Sequence, residues 1–209
     1  MTSTLAPSVA LSRAPAAIET APTHMAPTDT KPTDTALAVA AGRNLVAAGS
    51  IFAVANAVQW AIMGGALDLH PAVLSLTWPI AVGTFLVILR QLRAAGGEAG
   101  RRTAVWSRFA ILSQIGAALV LVAASAATGQ WSLMMWTSVV GLALYGIAWG
   151  IAAVRTRRTW IGAVAAGCLC AAGGVATLVG TPDQYLAYAC GLVAFALLPG
   201  LALVFRGRI

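Results

Sequence analysis

Few side chains in this sequence could do chemistry. Beyond the first 36 residues the acids are Asp68, Glu98 and Asp183, and the histidine is His70. A histidine with two carboxylates can hold a divalent metal or respond to pH near neutrality. Asp68, His70 and Asp183, with Tyr185 and Tyr188 close in sequence, are therefore the best candidate polar cluster. The plainer reading is that each lies in or beside a short connection, and connections are polar. No metal and no cofactor is expected. Asn56 and Gln59 are three residues apart and share one face of a helix. With Gln114 they can form interhelical hydrogen bonds of ~0.6 kcal/mol each in a bilayer, or line a path for a neutral solute. Cys168, Cys170 and Cys190 show no C-x-x-C spacing and read as small buried residues. No nucleotide motif and no catalytic constellation accompanies them. The spans offer no titratable group for proton coupling, no axial ligand for haem and no lysine for retinal.

The elements that must position these residues are set by composition. Of the 209 residues, 59% are hydrophobic and 9% charged, against about a quarter charged in soluble domains. Such a chain cannot cover its own surface with polar groups; a bilayer as solvent removes that need. Apolar stretches fall at about residues 44–63, 72–89, 106–127, 132–154, 160–179 and 185–205. Each is close to the ~20 residues that cross a ~30 Å hydrocarbon core. None carries the polar stripe of a soluble bundle helix. The expected fold is all-α: a polytopic membrane bundle of six transmembrane helices in three hairpins.

Charge sets the orientation. Twelve of the thirteen basic residues are arginine. Arg43 precedes the first stretch. Arg90, Arg93, Arg101, Arg102 and Arg108 surround the second connection. Arg155, Arg157 and Arg158 fill the fourth, and Arg206 and Arg208 follow the last stretch. The connections near residues 65–70, 128–131 and 180–184 carry no Lys or Arg. The positive-inside rule then predicts both termini in the cytoplasm. Trp106, Trp149 and Trp160 fall at the predicted inner interface, and Trp131, Tyr185 and Tyr188 at the outer one, as aromatic belts require. The charge is a topology signal, so no nucleic-acid partner is expected; the arginines near residues 90–108 can also hold anionic headgroups. The arginine-for-lysine skew, with abundant Ala and Gly, points to a GC-rich bacterial genome, hence a bacterial inner membrane.

Residues 1–36 read as a disordered Ala/Pro/Thr-rich cytoplasmic tail. It holds Pro27-Thr28-Asp29-Thr30 and again Pro32-Thr33-Asp34-Thr35, without an aromatic residue. Arg13 and several prolines interrupt any signal-peptide core, and Met25 is a second candidate start. Landmark arginines and glycines recur at near-equal intervals. Three copies of a two-helix hairpin would produce that, and so would unrelated helices crossing one bilayer.

Small residues predict the packing. Gly162, Ala166, Cys170 and Gly174 recur every four residues in the fifth span, with Gly167 beside them, and Gly146 and Gly150 form a G-x-x-x-G in the fourth. The fourth and fifth helices are expected at the bundle centre, and leucine at Gly167 or Gly174 is expected to lower folded yield. The same seam could drive homo-oligomerisation. Pro79 and Pro199 are expected to kink the second and sixth spans. In layout alone the chain is similar to small six-helix bacterial proteins such as the acid-resistance membrane proteins; no function is taken from that. The expected class is a non-catalytic structural, stress-related or accessory membrane component. It would be partnered by membrane lipids and by another membrane protein or a second copy. The alternative is a small permease or exporter for a neutral or apolar solute.

Overall fold

The computed structural model describes residues 33–70 and 72–206; the expected tail, apart from its last four residues, lies outside them. Among the described residues the chain is helical, without a strand. The order is α1 (Asp34–Met63), α2 (Val73–Ala95), α3 (Gly97–Thr128), a 3₁₀ turn (Trp131–Trp136), α4 (Thr137–Thr156), α5 (Thr159–Ala176), α6 (Asp183–Leu192), a π segment (Val193–Leu197) and α7 (Leu198–Arg206). Six helical stretches are long and apolar enough to cross a membrane, the sixth being α6, the π segment and α7 taken together.

Helix ends differ from the apolar limits for local reasons. α1 starts ten residues before Asn44. Thr33 takes an extended N-cap conformation, its hydroxyl accepts from the Ala36 N–H at 3.3 Å, and Asp34 sits in the first turn. Thr33-Asp34 is thus a helix start, since a hydroxyl cap and an early acid both favour one. The connection between the second and third spans is not a long loop. α2 runs on to Ala95, and α3 begins at Gly97, whose φ of +54° suits a residue without a Cβ. α3 is 32 residues, so about 48 Å long. That is longer than the ~30 Å thickness of a hydrocarbon core.

α1 is the hub. Phe52 lies between two clusters. Towards α2 and α3 it joins Phe85, Leu89, Ala104 and Ile111; towards α4, α5 and α6 it joins Leu142, Ala172, Val175 and Tyr188. Its ring lies 5.6 Å from Phe85 and 5.7 Å from Trp78. The fourth and fifth helices, expected at the centre, share it with α1 and the sixth span. One third (33%) of the apolar window of α1 and of the sixth span is buried, against 22% and 28% for the fourth and fifth spans. α4 and α5 do pack extensively on each other.

The reason is a glycine seam between α1 and α7. A Cβ on Gly42 would lie 2.7 Å from the Gly200 carbonyl oxygen, and one on Gly49 would lie 2.7 Å from the Leu197 nitrogen. A Cβ on Gly200 would meet the Gly42 carbonyl oxygen and the Val46 nitrogen at 2.9 Å. Helices in lipid associate by such backbone approach, because apolar burial offers no driving force there. Pro199 lies beside this seam. A proline lacks the N–H that would bond back one turn and its ring crowds that carbonyl. Here the preceding Val193–Leu197 segment widens to a π turn, and the backbone of Leu197 in that turn meets Gly49. Pro79 lies inside α2, which continues through it.

The two ends of the bundle are distinguished by their contacts. At the basic end Gly42 meets Gly200, the Asn44 amide donates to Ser107 Oγ at 3.5 Å, and the Arg155 guanidinium lies 5.6 Å from the Trp106 ring centre. At the arginine-free end Trp60 meets Asp183, and Gln184 meets Met135.

Candidate functional site

At the arginine-free end, Asp183 opens α6 and its Oδ1 accepts from the Trp60 indole N–H at 3.3 Å. This ties the last turn of α1 to the first turn of α6. His70 Nδ1 accepts from the Ala72 N–H at 3.2 Å, which steadies the entry to α2. Asp68 is exposed, as is His70. Among the described residues no three His, Cys, Asp or Glu side chains stand close enough to hold a metal ion. Asp68, His70 and Asp183 are therefore not drawn into one such group. Tyr185 is half-buried and Tyr188 buried.

The polar interior has a different centre, Gln184, which is 1% exposed. Its Nε2 donates to the Met135 carbonyl and to Ser138 Oγ, and its Oε1 accepts from the Gly180 N–H at 3.2 Å. Every part of the amide is used. It joins the turn before α6 to the junction where the 3₁₀ turn passes into α4. Thr137 supports that junction by donating from its hydroxyl to the Met134 carbonyl at 2.6 Å. A change of helix type leaves carbonyls without their usual partner, and a buried carbonyl needs one.

The three expected interior residues have separate roles. Asn56 is 1% exposed, yet its Nδ2 donates to the Phe52 carbonyl of its own helix at 2.7 Å. Gln59 is buried with its Oε1 unpartnered, and so is the Ser125 hydroxyl on α3. Gln114 donates from Nε2 to the Thr137 carbonyl at 3.4 Å, so it bridges α3 and α4. Beside it, a Cβ on Gly141 would fall 2.9 Å from the Tyr188 hydroxyl and 3.1 Å from the Gln114 amide. Gly141 is thus the point where α3, α4 and α6 bring polar tips together.

The expected packing glycines divide. A Cβ on Gly146 would press on Cys168 and Leu169 at 3.0 Å, and one on Gly167 would enter the Phe195 ring at 2.4 Å. Gly150 and Gly162 have ordinary contacts, with Ala165 at 4.0 Å and Ala153 at 3.9 Å. Gly174 has nothing within 4 Å. Gly174 thus faces away from the buried contact between α4 and α5, which its neighbours Ala172 and Val175 make with Leu142.

At the basic end, the Arg102 guanidinium hydrogen-bonded to Glu98 holds its carboxyl below the usual carboxylate range, with Arg101 adding to the effect. A ladder of rings runs from Tyr145 through Trp149 to Trp160, with centres 6.1 and 6.0 Å apart. An apolar groove between α4 and α5, floored by Gly146 and Gly150 and walled by Ile147, Ile151 and Leu169, is open to the outside.

Sequence reasoning missed Gln184, Ser125, Ser138, Gly141 and the Gly42–Gly49 pair. Gln184 follows Asp183 and reads as a turn residue. The signal that could have found it is spacing: Gln184, Tyr188 and Leu192 lie four apart on one face, and all are buried. Gly42 and Gly49 are seven apart, two turns of one face, a signal masked by the richer small-residue run in α5. No protein-family model matches the chain, and no curated protein or solved structure matches it.

Proposed function

We propose that this chain is a multi-pass membrane protein of a bacterial inner membrane, with three hairpins and both termini cytoplasmic. We propose further that it works without catalysis, as a structural, stress-related or accessory component that packs with lipid or a partner protein. One observation carries the second part. Only 6% of the apolar window of α3 is buried. Trp106, Phe109, Leu112, Leu119 and Val120 all point outward from it, each more than 60% exposed. One long apolar face of α3 is thus offered to something other than its own chain, and apolar faces of that size are interaction surfaces. The orientation is supported by the charge alternation, since among the described residues arginine gathers at one end.

A second reading, passage of a small neutral solute, is favoured by the buried and unpartnered Gln59 Oε1 and Ser125 Oγ. Extraction with a belt of native lipid, followed by identification of co-purifying proteins and small molecules, separates the two. The packing role predicts a stoichiometric protein partner or a retained lipid shell. A solute bound in stoichiometric amount, lost on Gln59→Leu, would replace it with the transport reading.

A further inference from the structure

We infer that the turn between α2 and α3 is a binding site for the phosphate headgroup of one anionic phospholipid, with its acyl chains laid along the outward faces of both helices. Gly96 and Gly97 make this turn so tight that α2 and α3 face each other directly across it. Beside the turn lies an open hollow lined by Arg90, Arg93 and Ala94 from α2, Gly97, and Arg101 from α3. Three arginine side chains share its lining. Glu98 serves Arg101 and Arg102, while Arg90 and Arg93 have no carboxylate partner among the described residues. Like charges gathered on one hollow repel, and an anion between them turns that repulsion into charge-assisted hydrogen bonds.

The surroundings select a lipid over a free anion. Arg101, Val105, Phe109 and Leu112 follow one face of α3 at helical spacing, and the last three are exposed at 51%, 63% and 63%. On α2, Arg90 continues into Leu86 and Val87, exposed at 40% and 54%. Each cationic wall of the hollow therefore leads straight into an uncovered apolar strip. A headgroup on the arginines would leave two chains lying where these strips run. Topology alone requires arginines at this end, but not that three of them share one hollow.

The inference rests on the membrane reading above, which retention of the full-length chain in alkali-washed membranes tests separately. The purified chain in neutral detergent is then titrated with phosphatidylglycerol and with phosphatidylcholine, and bound lipid is read by native mass spectrometry. One phosphatidylglycerol should be retained in preference to phosphatidylcholine. Arg90→Gln with Arg93→Gln should weaken it by about thirtyfold, since two cations are taken from beside the headgroup. Arg157→Gln with Arg158→Gln removes the same charge at another exposed turn and should leave affinity unchanged. Equal weakening by both pairs would overturn the site, as would equal retention of the two lipids by the unaltered chain. Binding of glycerol phosphate as tight as the whole lipid would overturn the role of the apolar strips. Should the double variant not fold, Arg93→Gln alone is read, where unchanged affinity overturns the site.

Discussion

Gln184, Gln59 and Asn56 are three buried amides with three different costs. Removing Gln184 takes three hydrogen bonds at once from the Met135 carbonyl, Ser138 Oγ and the Gly180 N–H, so Gln184→Leu should cost about 1–3 kcal/mol. That exceeds the ~0.6 kcal/mol of an average interhelical bond in lipid. Gln59→Leu removes an oxygen that already lacks a partner, so its melting temperature should equal or exceed that of the unaltered chain. Asn56 bonds within α1, so Asn56→Leu should fall between the two. Thermal unfolding in detergent ranks the three; Gln59 costing as much as Gln184 would contradict the hydrogen-bond assignment. At this scale the sequence was only partly legible. It marked Asn56, Gln59 and Gln114 as interior because their neighbours are apolar. It hid Gln184, because partners such as Met135 and Ser138 lie more than forty residues away, joined only by folding.

The elements were more legible, since an apolar run of bilayer length is a strong constraint. Their ends were not, because caps and turns decide them: Thr33 carries α1 outward, and Gly97 lets α3 begin almost where α2 stops. The contact seams turn on which glycines meet backbone. Gly49→Leu would force a side chain into Leu197 of the π turn, and overpacking of that kind costs about 1–3 kcal/mol or more. Gly174→Leu meets open space within the chain and should leave monomer stability nearly unchanged. Folded yield by size exclusion should separate the two variants. A loss for Gly174→Leu accompanied by loss of a dimer peak would place a second copy on that face. Glu98 gives this scale a pH dependence. Its carboxyl is held low, so the stabilisation it brings to the start of α3 is complete above the usual carboxylate value. That stabilisation fades as pH falls through its own lowered value. Glu98→Gln should remove this acid limb from a melting profile, with a small amplitude because the pair is exposed.

For the whole molecule, the apolar runs give six helices long enough to cross a membrane and the arginines support the proposed orientation, while the hub at α1 follows from a seam that no single run displays. The interior is held by neutral amides and hydroxyls, the arginines gather at one end, and α3 turns its apolar face outward. Every functional reading, from partner packing to the lipid headgroup at Arg90, Arg93 and Arg101, depends on that end lying in the cytoplasm. Reporter fusions of paired phosphatase and fluorescent domains test this most directly. Fusions after Leu67, Gln130 and Pro182 should report the outer side, and those after Gly97 and Arg157 the cytoplasm. The reverse pattern, or any two neighbouring connections reporting the same side, would contradict the account.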